Sequence, residues 1–120
     1  MTMKTLILGA TTNQDRYAYK AAERLTNGNH EIVPVGVRKG TVFGKEIVND
    51  KTIQPDIHTV TLYVGAERQE EWKNYIFDTR PERVIFNPGT ENPAFQEELI
   101  KKGVDVEVNC TLVMLSLGNF

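Results

Sequence analysis

Residues 5–25 read TLILGATTNQDRYAYKAAERL, and this stretch decides the fold. It opens with an unbroken apolar run, the pattern of a strand covered on both faces. The run, taken as residues 4–9, ends at Gly9, and Ala-Thr-Thr leads into a helical pattern over residues 15–27. There Ala18, Ala21, Ala22 and Leu25 fall on one stripe, and such small residues let a helix lie close against a sheet. A strand, a glycine turn and a helix make a setting for an anion, because the first turn of a helix has free N–H groups and a positive dipole end. Only one glycine is present where the dinucleotide fingerprint has three. The turn alone therefore does not name its ligand.

Outward from this unit the alternation continues. Gly28 stops the helix, and EIVPVGV (31–37) follows as a second strand, with Pro34 as an objection because proline lacks a ladder donor. Residues 38–56 are broken by Gly40, Gly44 and Pro55, which predicts a loop with at most a short strand or turn. IHTVTLYVG (57–65) is a third strand, and residues 67–79 read as a helix with Trp72, Tyr75, Ile76 and Thr79 facing inward. ERVIFNPG (82–89) gives a fourth strand, and a helix runs from Pro93 to a stop at Gly103. VDVEVN (104–109) gives a fifth strand, and residues 110–117 a last short helix. Strands alternating with helices of this length imply βαβ crossovers and one Rossmann-like α/β domain over residues 1–120. Its sheet is open and parallel, with helices on both faces.

The bulk numbers narrow the partners. The chain has 120 residues, 40% hydrophobic and 25% charged, with a net charge of −2. Broad nucleic-acid binding needs an excess of Lys and Arg that is missing here. No apolar run is long enough for a membrane span, no signal peptide is read at the start, and a cytoplasmic protein is the expectation. One cysteine, Cys110, excludes an internal disulfide, and no Cys/His spacing suggests a metal. A small-molecule nucleotide is the expected partner; a protein partner or a homodimer is compatible with the composition.

In open α/β sheets ligands bind outside the carboxyl ends of the strands. Four glycine-bearing turns fall there: residues 9–12, 36–39, 65–66 and 87–90. The candidates they supply are Gly9, Ala10, Thr11, Thr12, Gly36, Arg38, Lys39, Gly65, Asn87 and Gly89, with Arg16 just inside the first helix. An NAD site usually has a carboxylate at the end of the second strand. VGVRKG has the cations Arg38 and Lys39 instead. A phosphorylated ribose suits them, which leaves two ligands: coenzyme A, with its 3′-phosphate, and NADP, with its 2′-phosphate.

The segments LILGATTNQDRYAYKAAERL, VPVGVRKG, FGKEI and FNPGTENP through GVDVEVNCTLVML resemble the small stand-alone CoA-binding proteins, which are similar to the nucleotide domain of the succinyl-CoA synthetase alpha subunit. The resemblance runs over essentially the whole chain. Together with the alternation it implies a strand order of 3-2-1-4-5. It implies CoA or an acyl-CoA as ligand, with Gly9, Ala10, Thr11, Arg16 and Tyr17 along the pyrophosphate and pantetheine path. Gly36, Arg38 and Lys39 would face the ribose phosphate. Two positions depart from the family: Gly36-Val37 stands where Asn-Pro is common, and Asn87-Pro88-Gly89 where Gln-x-Gly is frequent. The synthetase's phosphohistidine belongs to a later domain, and neither His30 nor His58 matches it.

No acid, base and nucleophile set can be assembled at the carboxyl edge. His30 and His58 fall at the amino edge, and Glu67 and Glu91 read as caps at helix starts. Cys110, after the fifth strand, is the one side chain with latent chemistry: it reads either as a buried inert thiol or as a thiol able to meet the thiol end of a bound CoA. The residues thus point to a non-catalytic CoA-binding protein. A small NADP-dependent reductase, or a fragment of one, is the alternative.

Overall fold

The structure, a computed structural model, describes residues 2–120. Seven strands and five α-helices follow one another: β1 (Thr5–Leu8), α1 (Tyr17–Asn27), β2 (Ile32–Val35), β3 (Thr41–Val42), β4 (Lys45–Glu46), β5 (Thr59–Leu62), α2 (Ala66–Gln69), α3 (Lys73–Thr79), β6 (Arg83–Phe86), α4 (Pro93–Lys101), β7 (Asp105–Val108) and α5 (Thr111–Leu117). Five strands form a parallel sheet in the order β2-β1-β5-β6-β7, and β3 and β4 make a separate antiparallel hairpin.

Alternation along each central strand sends side chains to two cores. Leu6 and Leu8 of β1, with Val33, Val35, Val60, Leu62, Val84 and Phe86, meet Trp72, Tyr75, Ile76, Phe95 and Leu99 on one face. Ile7 and Ile32 meet Ala18, Ala22 and Leu25 of α1 on the other face. Burying a side chain such as Leu25 contributes about 1.5–3 kcal/mol. The expected helix on residues 15–27 begins two residues late, at Tyr17, because residues 11–15 are drawn into side-chain turns described below.

The parallel sheet agrees with the expectation, but its order does not. Counting the five main strands along the chain, the observed order is 2-1-3-4-5, not 3-2-1-4-5. The reason lies on the outer edge of β2. Pro34 turns its carbonyl outward, where it accepts from Val48 N at 2.9 Å, and Val48 O accepts from Gly36 N at 3.0 Å. Pro34 has no N–H to offer a further strand on that edge. The connection after β2 itself covers the edge, through an isolated Val35–Val48 bridge, and carries the chain back across β1 to start β5. The proline that reads as an objection to a strand is the mark of an edge strand.

The helix expected on residues 67–79 is interrupted. A 3₁₀ turn at Glu70–Trp72 separates α2 from α3. Gln69, Trp72 and Tyr75, three residues apart, are all buried. Tightening the coil to three residues per turn keeps them on one face. Gln69 is anchored there, its Nε2 donating to Val64 O at 2.9 Å and Thr90 O at 2.7 Å.

The register is level across the sheet: Leu8 lies opposite Val35 and Leu62, Leu62 opposite Phe86, and Phe86 opposite Val108. Every strand therefore ends on one line, and the turns that follow share one edge.

Candidate functional site

Strand β1 has β2 on one side and β5 on the other, so the order of the strands reverses at its carboxyl end. A crevice opens at such a reversal. Here it is a cleft of about 480 Å³. The turn after β1 and the start of α1 form its middle, with Gly9, Ala10, Thr11, Asn13, Arg16, Tyr17 and Ala18. Gly36, Val37 and Arg38 form the wall after β2, and Tyr63, Val64, Arg68 and Trp72 the wall after β5.

Two glycines make the crevice possible. Gly9 has φ +97°, and a Cβ there would lie 2.9 Å from Tyr63 O. Gly36 has ordinary backbone, but a Cβ on it would stand 2.6 Å from Ala10 O. The turns after β1 and β2 are therefore in backbone contact, with Ala10 N donating to Val35 O at 3.0 Å.

The start of α1 is open to an anion. Thr11 Oγ1 accepts from Asn13 N at 3.1 Å, and Asn13 Oδ1 from Asp15 N at 3.0 Å, so both side chains brace the loop instead of the helix. Arg16 occupies the capping position, no side chain caps the helix, and its first turn holds no acidic residue. Free N–H groups and a positive helix end face this part of the cleft.

Electrostatics follow from the lining. Three of the residues are arginines, Arg16, Arg38 and Arg68, and none is a carboxylate. No ion pair among the described residues involves any of the three. In a chain of net charge −2 this is a local concentration of uncompensated positive charge. A second hollow, about 720 Å³, lies at the amino edge. It is the larger of the two, but its lining combines Asp78, Glu82 and Asp105 with Arg80 and Lys102, so it has little net pull on a polyanion.

Tyr63 OH is buried beside Thr61 and Thr111, whose hydroxyls already bond each other at 2.8 Å, and finds no partner of its own. Burial pushes the Tyr63 phenol up to about 12, so it stays neutral near pH 7. The lining contains no His, Cys, Asp, Glu, Ser or Lys.

Of the residues singled out from sequence, Gly9, Ala10, Thr11, Arg16, Tyr17, Gly36 and Arg38 come together in this cleft. Thr12, Lys39, Gly65, Asn87, Gly89 and Cys110 are not among its lining residues. Thr12 is packed against Gly40, and Lys39 is exposed next to Arg38. Asn87 is buried as a structural hub. Its Nδ2 donates to Thr61 Oγ1 at 2.7 Å and Leu62 O at 2.8 Å, and its Oδ1 accepts from Thr111 N at 2.9 Å. Gly89 N donates to Glu91 Oε1 at 2.8 Å, and the Glu67 carboxylate lies against Gly65. Cys110 is half-buried ahead of α5. His30 and His58 lie at the amino edge, where His30 Nδ1 accepts from Met3 N at 2.9 Å and His58 Nδ1 meets Thr59 Oγ1 at 2.7 Å. Sequence reading missed Asn13, Ala18, Val37, Tyr63, Val64, Arg68 and Trp72 as cleft residues. Arg68 had a signal: a cation in the first turn of a helix that starts at the carboxyl edge.

Among the described residues, no helix is long and apolar enough to cross a membrane, and no group of His, Cys, Asp or Glu could hold a metal ion. The model of the CoA binding domain family matches residues 3–116. A solved structure described as that of an uncharacterized protein is 51% identical, with a TM-score of 0.98 over 100% of this chain and 99% of that one. A protein from Thermus thermophilus is 20% identical, with a TM-score of 0.85, covering 99% of this chain and 91% of its own. A hypothetical protein from Pyrococcus horikoshii OT3 is 19% identical, with a TM-score of 0.88, covering 97% and 83%. These last two likenesses concern the fold alone. Among curated proteins none matches the chain.

Proposed function

This chain belongs to the CoA binding domain family, and we propose that the cleft at the carboxyl edge of its sheet is where coenzyme A is held. The observation that carries the proposal is the lining: three guanidinium groups and an uncapped helix start, with no carboxylate among them. That donor set suits a ligand with several phosphates and would repel nothing on it. Thr11, Asn13 and Arg16, with the first N–H groups of α1, would take the pyrophosphate. Arg38, with Lys39 next to it, would take the ribose 3′-phosphate. Tyr63, Val64 and Trp72 offer the apolar wall for the pantetheine arm, with Arg68 above it.

We read the protein as a carrier or sensor that binds CoA or an acyl-CoA without turning it over. A thioester hydrolase needs a nucleophile and a base within reach of the acyl carbon. The lining offers the Thr11 hydroxyl but no His, Asp, Glu or Lys to act as its base, and the buried Tyr63 hydroxyl stays protonated, which supports this reading.

A thermal-shift panel of CoA, acetyl-CoA, NADP and NAD tests the proposal. A ligand present at 100 times its Kd stabilises the folded state by about 2.7 kcal/mol. CoA and acetyl-CoA should raise the melting temperature of wild type, and Arg16→Ala should lose most of that rise. A larger shift with NADP would give the cleft to a nicotinamide nucleotide. Acetyl-CoA incubated with the protein should release free thiol no faster than without it; release lost on changing one cleft residue would show an enzyme.

A further inference from the structure

The turn that carries Arg38 is held from behind by one side chain. Asn49 lies just past the β3–β4 hairpin, and its Nδ2 donates to Gly36 O and to Arg38 O, both at 2.9 Å. Carbonyl oxygens only accept, so the amide nitrogen with its two protons is the one end of Asn49 that can serve both. Backbone bonds from Val48 to Pro34 and Gly36 and from Ile47 to Gly40 tie the two ends of this loop. Between them, Asn49 alone among the side chains of the described residues bonds the Arg38 backbone.

Asn49 is itself exposed and is not part of the cleft lining. A surface asparagine ordinarily spends its amide on water, and holding two carbonyls costs it rotamer freedom. What the two bonds secure is the conformation of residues 36–38. Resting on the reading that Arg38 faces the ribose 3′-phosphate, we infer that Asn49 is the positioning residue for that contact and sets the discrimination between CoA and dephospho-CoA. It acts through Arg38 and touches no ligand. Without it the turn spends part of its time in other conformations, and apparent affinity falls by the fraction that remains competent.

Calorimetric titration of CoA and dephospho-CoA into wild type, Asn49→Ala, Arg38→Ala and the double variant tests this. Asn49→Ala should weaken CoA about three- to tenfold while dephospho-CoA stays within about twofold. In the Arg38→Ala background, Asn49→Ala should change neither ligand further. Asn49→Ser, which can still donate to one carbonyl, should fall between wild type and Asn49→Ala, and provides a gentler variant should the alanine form fold poorly. Equal weakening of both ligands, or the same loss of CoA affinity with and without Arg38, overturns the inference and leaves Asn49 a general loop brace. Wild type that binds CoA and dephospho-CoA equally removes the ribose-phosphate reading itself, and this inference with it. Discrimination that keeps its full wild-type size in Asn49→Ala removes the inference alone.

Discussion

Gly36→Ala should damage the protein although the backbone at Gly36 is ordinary. Replacing glycine where φ is compatible normally stabilises by about 0.4–1 kcal/mol, because it stiffens the unfolded chain. Here the added Cβ would stand 2.6 Å from Ala10 O and 3.3 Å from Ala10 N. Both are backbone atoms of a turn fixed by Gly9 and by the bond from Ala10 N to Val35 O, so no side chain can swing away. Overpacking of this kind costs about 1–3 kcal/mol, which outweighs the entropic gain. At about 4 °C per kcal/mol for a chain of this size, a net loss of about 1–2 kcal/mol lowers the melting temperature by about 4–8 °C. The turns after β1 and β2 would also part, so CoA should bind about tenfold more weakly, a loss of about 1.4 kcal/mol. Gly44→Ala is the control: its φ of +81° makes alanine strained, but nothing lies within 4 Å. It should lower stability and leave CoA affinity unchanged. Circular-dichroism melts and calorimetric titrations read both quantities. A Gly36→Ala protein that melts at or above wild type would refute the reasoning.

Three further outcomes follow from particular residues. Asn87→Leu leaves Thr111 N–H and Leu62 O without their buried partner, at about 1–3 kcal/mol for each group, so urea denaturation should show a loss of at least about 2 kcal/mol; a loss below about 1 kcal/mol would contradict the hub. His30 should titrate below 6.5 by NMR, because burial disfavours its cation. The unfolded chain then takes up the proton first, so stability is full above about 6.5 and declines as pH falls from there toward the folded value; a His30 titrating at about 6.5 would remove the dependence, and one above it would reverse the sign. Leu25→Ala, at the end of the α1 stripe, should cost about 2–5 kcal/mol in the same urea assay, and a cost under about 1 kcal/mol would mean that α1 is not packed as described.

The elements were legible where one local pattern sufficed. The apolar runs at Thr5–Leu8 and Thr59–Leu62 and the alanine stripe of α1 carry their own period, and they fold accordingly. The strand order was not legible from alternation, because it depends on which edge of β2 stays free. Pro34 held that information, in the direction its missing N–H would have pointed. The helix break at Glu70–Trp72 was hidden because a buried Gln69 looks, in sequence, like any surface glutamine. The middle of the cleft was readable from the glycine turn and Arg16. Its β5 wall was less so: Arg68 carried a signal as a cation at the start of a helix on the carboxyl edge, whereas Trp72 read only as a residue of the inner helix face. Asn49 gave no sign at all: in a loop of Gly, Asp and Lys, one more asparagine reads as a turn former.

Backbone amide mapping during a CoA titration tests the central claim most directly. With the ¹⁵N-labelled protein, shifts should concentrate within residues 9–18, 36–38 and 63–72, the segments that contain the lining of the carboxyl-edge cleft. The amides of Ile76, Arg80, Lys102 and Val104, around the larger hollow at the amino edge, should stay where they were. Shifts centred on that second hollow, or none at saturating CoA, would contradict the account.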